Sequence, residues 1–205
     1  MINQTNDNIS ASGVIKMTYF EDSLISDVKN NYDELQQNDT QLNRRNYVRS
    51  LFALYEVILS NLRETTCKLL VDDFDLKGIW EFYKLIPLLD DNPRLTEKGK
   101  LGLESNRIPF LSLVEYTIRT YAEFIGLNEN LFDNNGWNSF CLSIKIRDRI
   151  THPSSLKEVD ITDEEMNTLK KGWEWWNSTL KKLRETHLEF LTKDNNLNFF
   201  GDQKK

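Results

Sequence analysis

Glycine and proline are scarce in this chain, and their scarcity limits the folds that it can adopt. Only 8 glycines and 4 prolines occur among the 205 residues. Sandwiches, barrels and doubly wound sheets need frequent tight turns, which these two residues favour. Neither occurs between residues 40 and 71, so one long helix can run there without a break. The sequence therefore predicts an all-α fold.

Apolar residues recur at spacings of three and four along much of the chain, which is the period of a helix with one buried face. The pattern predicts a bundle of about five to six helices. They cover about residues 19–35, 40–71, 76–89, 110–125, 137–150 and 162–187.

Local residues mark several helix boundaries. Pro109 suits the first position of a helix, and Gly126 suits the position after its end. Thr162 and Glu165 have the spacing of a capping box at the start of the last helix. Residues 90–107 contain proline, glycine and mixed charges, and we expect a surface loop there with at most one helical turn.

The domain organisation follows from these patterns. Residues 1–39 are predicted to be a polar extension that carries one amphipathic helix, with a mobile stretch over about the first 15 residues. Residues 40–192 form the helical domain, and residues 193–205 form a polar, frayed tail.

Composition restricts the possible functions. Cys67 and Cys141 have no short-spaced partner, which favours a reducing, intracellular setting. No segment approaches the ~20 apolar residues of a membrane span, and the N-terminus lacks a secretory pattern, so we expect a cytoplasmic protein with no membrane association. With two histidines, neither near a thiol, and no glycine-rich phosphate loop, we expect no metal and no cofactor. The net charge of -6 argues against broad binding to nucleic acid, so any phosphate contact must be local.

Arg147, in the stretch "SIKIRDRITHP", occupies a position where an apolar residue is expected. It belongs to a stripe at helical spacing whose other members are Trp137, Phe140, Ile144 and Ile150. A guanidinium stays charged at any working pH, and burying it without a partner costs several kcal/mol. Arg147 should therefore face a partner group, a ligand or another chain.

His152 follows Arg147 by five residues, and Pro153 disfavours helical backbone at the histidine. A helix end at His152 would let its side chain turn toward the arginine. Histidine exchanges a proton near neutral pH, and arginine binds phosphate through its planar fork. Together they could cleave RNA without a metal, because one group activates the ribose 2′-hydroxyl and the other stabilises charge at phosphorus.

The string "RDRITHP" resembles the motif of the HEPN superfamily of helical domains. That motif has an arginine, a polar residue directly after it, and a histidine a few positions further on; here these are Arg147, Asp148 and His152. The predicted helical layout over about residues 40–190 is also similar to that family, which implies a HEPN-like helical bundle.

The resemblance implies a metal-independent endoribonuclease that acts as a homodimer, as a toxin or an antiviral defence effector. Arg147 would contact the scissile phosphate, His152 would be the general base or acid, and Asp148 would orient one of them. The substrate would be RNA, cut to a 2′,3′-cyclic phosphate, and an antitoxin or regulatory protein is a possible partner. In one branch a tyrosine two residues past the histidine is adenylylated, but this chain has Ser154 there, which argues against that control.

Other residues are weaker candidates for RNA contact. Arg149, Thr151 and Lys145 lie in the same stretch as the motif, although Thr151 could equally terminate the helix and Asp148 could pair with Arg149 or Lys145. A second basic cluster surrounds Tyr47, and for it a solvated helix face is favoured over RNA contact. It consists of Arg44, Arg45 and Arg49.

Two simpler interpretations remain open at this point. Arg147 and His152 could mark an ordinary helix terminus, with the arginine paired to a nearby carboxylate. The chain could also be a noncatalytic helical dimer that binds a nucleotide or a protein partner.

In "WEWW", Trp173 and Trp176 fit the core-facing seam and Trp175 is predicted at the surface. His187 is predicted to be a core or interface residue.

Overall fold

A computed structural model describes residues 19–77, 79–89, 91–105 and 107–201 of the chain. These residues form an all-α bundle with one small hairpin. The predictions for residues 1–15, and for residues 202–205 of the tail, lie outside the described residues. The α-helices are α1 (Tyr19–Gln37), α2 (Gln41–Lys77), α3 (Phe110–Phe124), α4 (Asn135–Thr151) and α5 (Asp163–Gly201). Two 3₁₀ segments, Ile79–Leu88 and Leu156–Val159, and strands β1 (Asp91–Leu95) and β2 (Leu101–Ser105) complete the described elements.

Helix α2 is the centre of the bundle, and it is contacted by α1, α3, α4 and the 3₁₀ segment Ile79–Leu88. Its predicted apolar stripe is confirmed, since Tyr47, Leu51, Leu54 and Leu62 are all buried. The neighbouring positions are buried as well, including Val48, Phe52, Tyr55 and Leu59. The buried surface of α2 is therefore wider than one stripe, because helices pack on it from several sides.

Helix α1 runs antiparallel to α2. The rings of Tyr32 and Tyr47 are 5.5 Å apart near one end, and the Asn61 side chain donates to Glu21 at 2.7 Å near the other. Val28 and Leu35 of the predicted stripe are buried. The amphipathic helix predicted in the extension is therefore packed against the main domain.

Helix α3 ends as its sequence predicts. Gly126 has φ +76, and its N–H donates to the Glu123 carbonyl at 3.2 Å while the Leu127 N–H donates to the Ala122 carbonyl at 2.8 Å. These two bonds form the motif that closes helices at a left-handed glycine. The start differs by one residue, because Pro109 is the N-cap and the helix begins at Phe110.

Residues 91–105 form a β-hairpin, so the predicted loop with a helical turn is wrong for this part. β1 and β2 are antiparallel, with Pro93 opposite Leu103 and Leu95 opposite Leu101. The turn is closed by the Thr96 N–H, which donates to the Lys100 carbonyl at 2.8 Å. Cross-strand pairing satisfies backbone groups that a loop would leave to solvent.

Helix α5 begins with the predicted capping box. The Thr162 N–H donates to Glu165 Oε2 at 2.9 Å, and the Glu165 N–H donates to Thr162 Oγ1 at 3.2 Å. The helix continues to Gly201, past the predicted boundary at residue 192, so the first part of the expected tail is helical.

The placement of Trp175 at the surface is wrong. Trp175 is 5% exposed, and its Nε1–H donates to the Leu131 carbonyl at 2.9 Å. Its ring lies 4.9 Å from Phe140 and 4.8 Å from Trp137 between centroids. Because α5 packs against α4 as well as beside α2, its buried face extends past the narrow seam. The predicted core position of Trp176 is confirmed, whereas Trp173 is only half-buried.

Candidate functional site

The C-terminal turn of α4 carries the residues of the RDRITH motif. The Asn134 side chain caps the start of α4 by accepting from the Trp137 N–H at 2.9 Å. Trp137, Phe140 and Ile150 then bury one face of the helix. This face fixes the direction in which the last turn presents Arg147.

Arg147 is paired within its own chain. Its side chain is 29% exposed; Nη2 donates to Glu56 of α2, and Nη1 donates to Asp148 Oδ1 at 2.9 Å. The guanidinium carbon also lies 5.7 Å from the centroid of the Phe52 ring, within range of a cation–π interaction. Arg147 lies on an apolar stripe because its half-buried guanidinium packs against α2. The expectation that Arg147 faces a partner group is met by the two carboxylates.

Asp148 pairs with its immediate neighbour Arg147. Among the described residues, Asp148 forms no ion pair with the alternative partners Arg149 and Lys145. Thr151 Oγ1 donates to the Arg147 carbonyl at 2.7 Å, a bond within the last turn of the helix. Thr151 therefore has a role in the helix end. A phosphate contact of Thr151 stays a prediction.

His152 is the C-cap of α4, as Pro153 predicts. Its N–H donates to the Asp148 carbonyl at 2.9 Å, its backbone leaves the helical region with φ −126 and ψ 59, and its side chain is exposed. Within the described residues we find no side-chain contact between His152 and Arg147. A single protomer therefore places both groups at one end of α4 without joining them.

Arg149 holds the segment that follows the motif. Its Nη1 donates to the carbonyls of Glu158 and of Asp160, the latter at 2.9 Å, and Nη2 pairs with Glu165 at 2.7 Å. These contacts tie the end of α4 to the start of α5. The hydrogen bonds that Glu158 accepts from the backbone and hydroxyl of Ser154 lower the pKa of its carboxyl.

In the second basic cluster, Arg44 is held by contacts within the chain, whereas Arg49 is exposed. Arg44 is 13% exposed, pairs with Asp39 at 2.6 Å and Asp163 at 2.5 Å, and donates to the Ile161 carbonyl at 2.7 Å. Its hydrogen bond with Asp39 raises the pKa of Arg44 and lowers that of Asp39. Arg44 therefore joins the start of α2 to the start of α5.

The remaining cations predicted to contact RNA are less constrained. Arg45 donates to the Val159 carbonyl at 3.4 Å, whereas Arg49 and Lys145 are exposed. Their predicted role in RNA contact stays a prediction.

His187 lies in the core, one of the two positions predicted for it. It is 3% exposed, and the Tyr121 hydroxyl hydrogen-bonds its Nδ1, which joins α3 to α5. If Tyr121 donates, the neutral ring carries its proton on Nε2, which has no partner within the described residues. Burial lowers the pKa of His187.

The structure adds a residue and a groove that the sequence did not reveal. Glu56 pairs with Arg147 although 91 positions separate them in the sequence. The helical period identifies the buried face of a helix, but it does not identify the residues that this face contacts. An apolar groove of about 940 Å³ also lies between α1, α2 and α5. The sequence signal that could have suggested it is Ile25, which lies off the main stripe of α1 and is 38% exposed.

Metal and membrane sites find no support in the part of the chain that the structure describes. No cluster of three or more histidine, cysteine, aspartate or glutamate side chains there could hold a metal ion. Among the same residues, every helix is too short or too polar to cross a bilayer.

Comparisons with models of protein families, with curated proteins and with solved structures find no match to this chain.

Proposed function

We propose that this chain is a metal-independent endoribonuclease of the HEPN type, acting as a homodimer in a toxin or defence role. The observation that carries the proposal is the placement of Arg147 and His152 at the same end of α4. The arginine is held half-exposed against α2, and the histidine is exposed at the C-cap. Five residues of helix separate them by roughly 7.5 Å along the axis.

The proposed reaction uses the motif residues in separate roles. His152 takes the proton of a ribose 2′-hydroxyl, the 2′-oxygen attacks the adjacent phosphorus, and the bond to the 5′-oxygen breaks. The leaving 5′-oxygen takes a proton from water and His152 returns its proton to solvent, so the products are a 2′,3′-cyclic phosphate and a 5′-hydroxyl. Arg147 stabilises the charge on the phosphoryl oxygens, and Asp148 orients its guanidinium through the bond at 2.9 Å.

The test is cleavage of tRNA and mRNA by purified protein in the presence of EDTA. We expect the wild type to produce 2′,3′-cyclic phosphate ends, and we expect Arg147→Ala and His152→Ala to lose at least about a hundredfold in rate. Lys171→Ala removes an exposed cation from α5 and is the matched control, which should cleave like the wild type. Equal cleavage by all four proteins would remove the proposed site.

Mixing the two inactive variants tests whether the site forms between subunits. If Arg147 of one protomer acts with His152 of the other, a heterodimer of Arg147→Ala and His152→Ala contains one intact site. Random exchange makes half of the dimers mixed, so roughly a quarter of the wild-type activity should return. No recovery after subunit exchange would place both groups of a working site in one protomer.

A second candidate is a noncatalytic helical dimer that binds a nucleotide or a protein. The pairing of Arg147 with both Glu56 and Asp148 favours a noncatalytic chain, and a protein partner over a nucleotide, because two carboxylates already satisfy the cation. Expression in a host separates the two functions. Growth arrest by the wild type but not by His152→Ala supports catalysis, and an equal effect of both supports binding alone.

A further inference from the structure

The groove between α1, α2 and α5 has an apolar floor and a charged rim. Its floor includes Leu54, Ile58 and Leu62 of α2, with Val28 of α1 and Trp173 of α5 on the sides. Val28, Leu54 and Leu62 are buried, and Ile58 and Trp173 are half-buried. The groove is separate from the end of α4 that carries Arg147, since none of the motif residues lines it.

Contacts between the helices give the order of residues along the groove. α1 is antiparallel to α2, because Tyr32 meets Tyr47 and Glu21 meets Asn61. α5 is parallel to α2, because Asp163 meets Arg44 and Trp173 lies 5.9 Å from Tyr55.

These two registers bring a lysine from each wall to the same level. Counting along the helices from those contacts places Lys29 of α1 and Lys170 of α5 both beside Leu51 of α2. Both lysines line the groove and are exposed. Neither has a carboxylate within ion-pair distance among the described residues. Each wall of the groove therefore carries one exposed lysine without a carboxylate partner at this level in the part of the chain that the structure describes.

The charge of the groove differs in sign from that of the chain. Four cations, Lys29, Lys170, Lys181 and Arg184, line it against two carboxylates, Glu21 and Glu174, whereas the whole chain carries -6. Glu21 is 3% exposed and accepts a hydrogen bond from Asn61. An occupant that complements this lining is apolar along its length and negatively charged at one place.

The length and the charge of the groove suit an anionic single-chain amphiphile. From Tyr47 to Leu62, α2 rises ~1.5 Å per residue, so the groove is roughly 22 Å long. Its volume of about 940 Å³ accommodates an extended alkyl chain of that length. Because cations outnumber carboxylates in the lining and the floor is apolar, one anionic head group on an apolar chain complements it.

We propose that this groove binds a free single-chain fatty acid, with the carboxylate between Lys29 and Lys170 and the chain along Leu54, Ile58 and Leu62. From the level of the lysines to Leu62 the apolar floor extends about 16 Å. The chain displaces water from this floor, which supplies the affinity, and the two lysines select the anionic head group. The proposal does not depend on RNA cleavage.

The test is titration calorimetry of the full chain with dodecanoate below its micelle concentration. We expect saturable binding of one molecule per chain. Dodecyltrimethylammonium, which has the same chain length and the opposite charge, should bind at least tenfold more weakly. Absence of saturable dodecanoate binding, or equal affinity for the two amphiphiles, would overturn the proposal.

Matched variants locate the binding site. The double variant Lys29→Gln, Lys170→Gln should weaken dodecanoate binding at least tenfold. The double variant Lys68→Gln, Lys171→Gln removes the same charge outside the groove and should bind dodecanoate like the wild type.

Ile25→Glu places a carboxylate on the path of the alkyl chain and should abolish binding. Leu142→Glu makes the same change at an exposed residue of α4 and should bind normally. Both sets alter exposed side chains, and circular dichroism verifies that they fold. Binding by Ile25→Glu equal to that of Leu142→Glu would contradict the proposal.

Discussion

At the scale of single residues, Arg147 is held in a cluster that contains more negative than positive charge. One guanidinium faces the carboxylates of Glu56 and Asp148. A phosphate that approaches Arg147 must therefore compete with Glu56, which is 47% exposed at its side chain. Glu56 comes from α2 and Asp148 from α4, so the cluster also joins the two helices. Under the proposed function, Glu56 limits the affinity of the site for RNA.

Neutralising Glu56 should strengthen RNA binding. Glu56→Gln raises the formal charge of the cluster from −1 to 0 and leaves the side chain almost the same size. We expect the affinity for a 2′-O-methylated RNA, which cannot be cleaved, to rise about 1.4-fold to fivefold, the range of an exposed ion pair worth about 0.2–1 kcal/mol. Fluorescence anisotropy at low salt measures the change.

Glu64→Gln is the control for this change in charge. Glu64 also lies on α2 and pairs with Lys68 at 2.6 Å, away from Arg147. It should alter RNA affinity little. If both variants gain the same affinity, the effect belongs to net charge, and the assigned role of Glu56 is wrong.

The inward position of Arg147 could be predicted from sequence, because helical spacing places it on the stripe of Phe140 and Ile150. Glu56 could not be predicted, since the pair is 91 residues apart and depends on how α4 packs on α2. The position of His152 at the helix end follows from Pro153 alone. The sequence thus predicted the positions of Arg147 and His152, which depend on neighbouring residues. It did not predict the partner Glu56, which depends on helix packing.

At the scale of elements, α5 approaches α4 closely at Gly172, and this contact sets the position of the helix that carries the motif. A Cβ at Gly172 would lie 2.9 Å from Ser143 Oγ and 3.0 Å from Phe140 Cα. The Phe140 contact is with backbone, which cannot rotate away. Gly172 therefore sets the distance between the two helices, and through it the position of the last turn of α4.

Gly172→Ala should destabilise the protein. Alanine favours a helix over glycine by about 1 kcal/mol, and overpacking of a tight contact costs about 1–3 kcal/mol. Because the contact includes backbone, we expect a net loss of about 1–2 kcal/mol in the free energy of unfolding, measured by urea denaturation. Lys171→Ala, at the adjacent exposed position, should stay within about 0.5 kcal/mol of the wild type. A Gly172→Ala protein as stable as the wild type would show that α4 and α5 can separate freely.

The same distinction between local and packing features holds for the start of α5 and for Trp175, and the hairpin is an exception. The capping box of Thr162 and Glu165 is complete within four residues and was predicted correctly. The burial of Trp175 was missed, because the period of α5 does not show that α4 widens its buried face. The hairpin was missed because its strands are short, although Leu101 and Leu103 alternate with polar or small residues and are 74% and 73% exposed.

At the scale of the whole molecule, the all-α fold followed from the few glycines and prolines and from apolar spacing. The groove between three helices did not follow, because it depends on α1 and α5 flanking α2 without closing over it. Elsewhere in the bundle, His187 of α5 is buried and hydrogen-bonds Tyr121 of α3. The protonation of this one buried side chain is therefore linked to the stability of the entire bundle.

The folded protein should lose stability as the pH falls below about 6.5, the ordinary pKa of histidine. Burial lowers the pKa of His187 in the fold, so the unfolded chain binds a proton that the folded chain does not. The free energy of unfolding then decreases with falling pH, by at most about 1.4 kcal/mol per pH unit for one proton. Urea denaturation at several pH values between 5 and 7 measures the slope. The pKa values of Asp39 and Glu158 in the fold are lowered from ordinary values near 3.8 and 4.5, so these carboxyls take up protons mainly below this window.

His187→Gln should remove most of this pH dependence. Glutamine can still accept a hydrogen bond from Tyr121, but it does not titrate, so its cost in stability is the same at each pH. His152→Gln removes the exposed imidazole at the end of α4 and should keep the wild-type slope. A slope that persists in His187→Gln but disappears in His152→Gln would assign the linkage to the motif histidine, and the buried Tyr121–His187 pair would then not control the acid stability of the bundle.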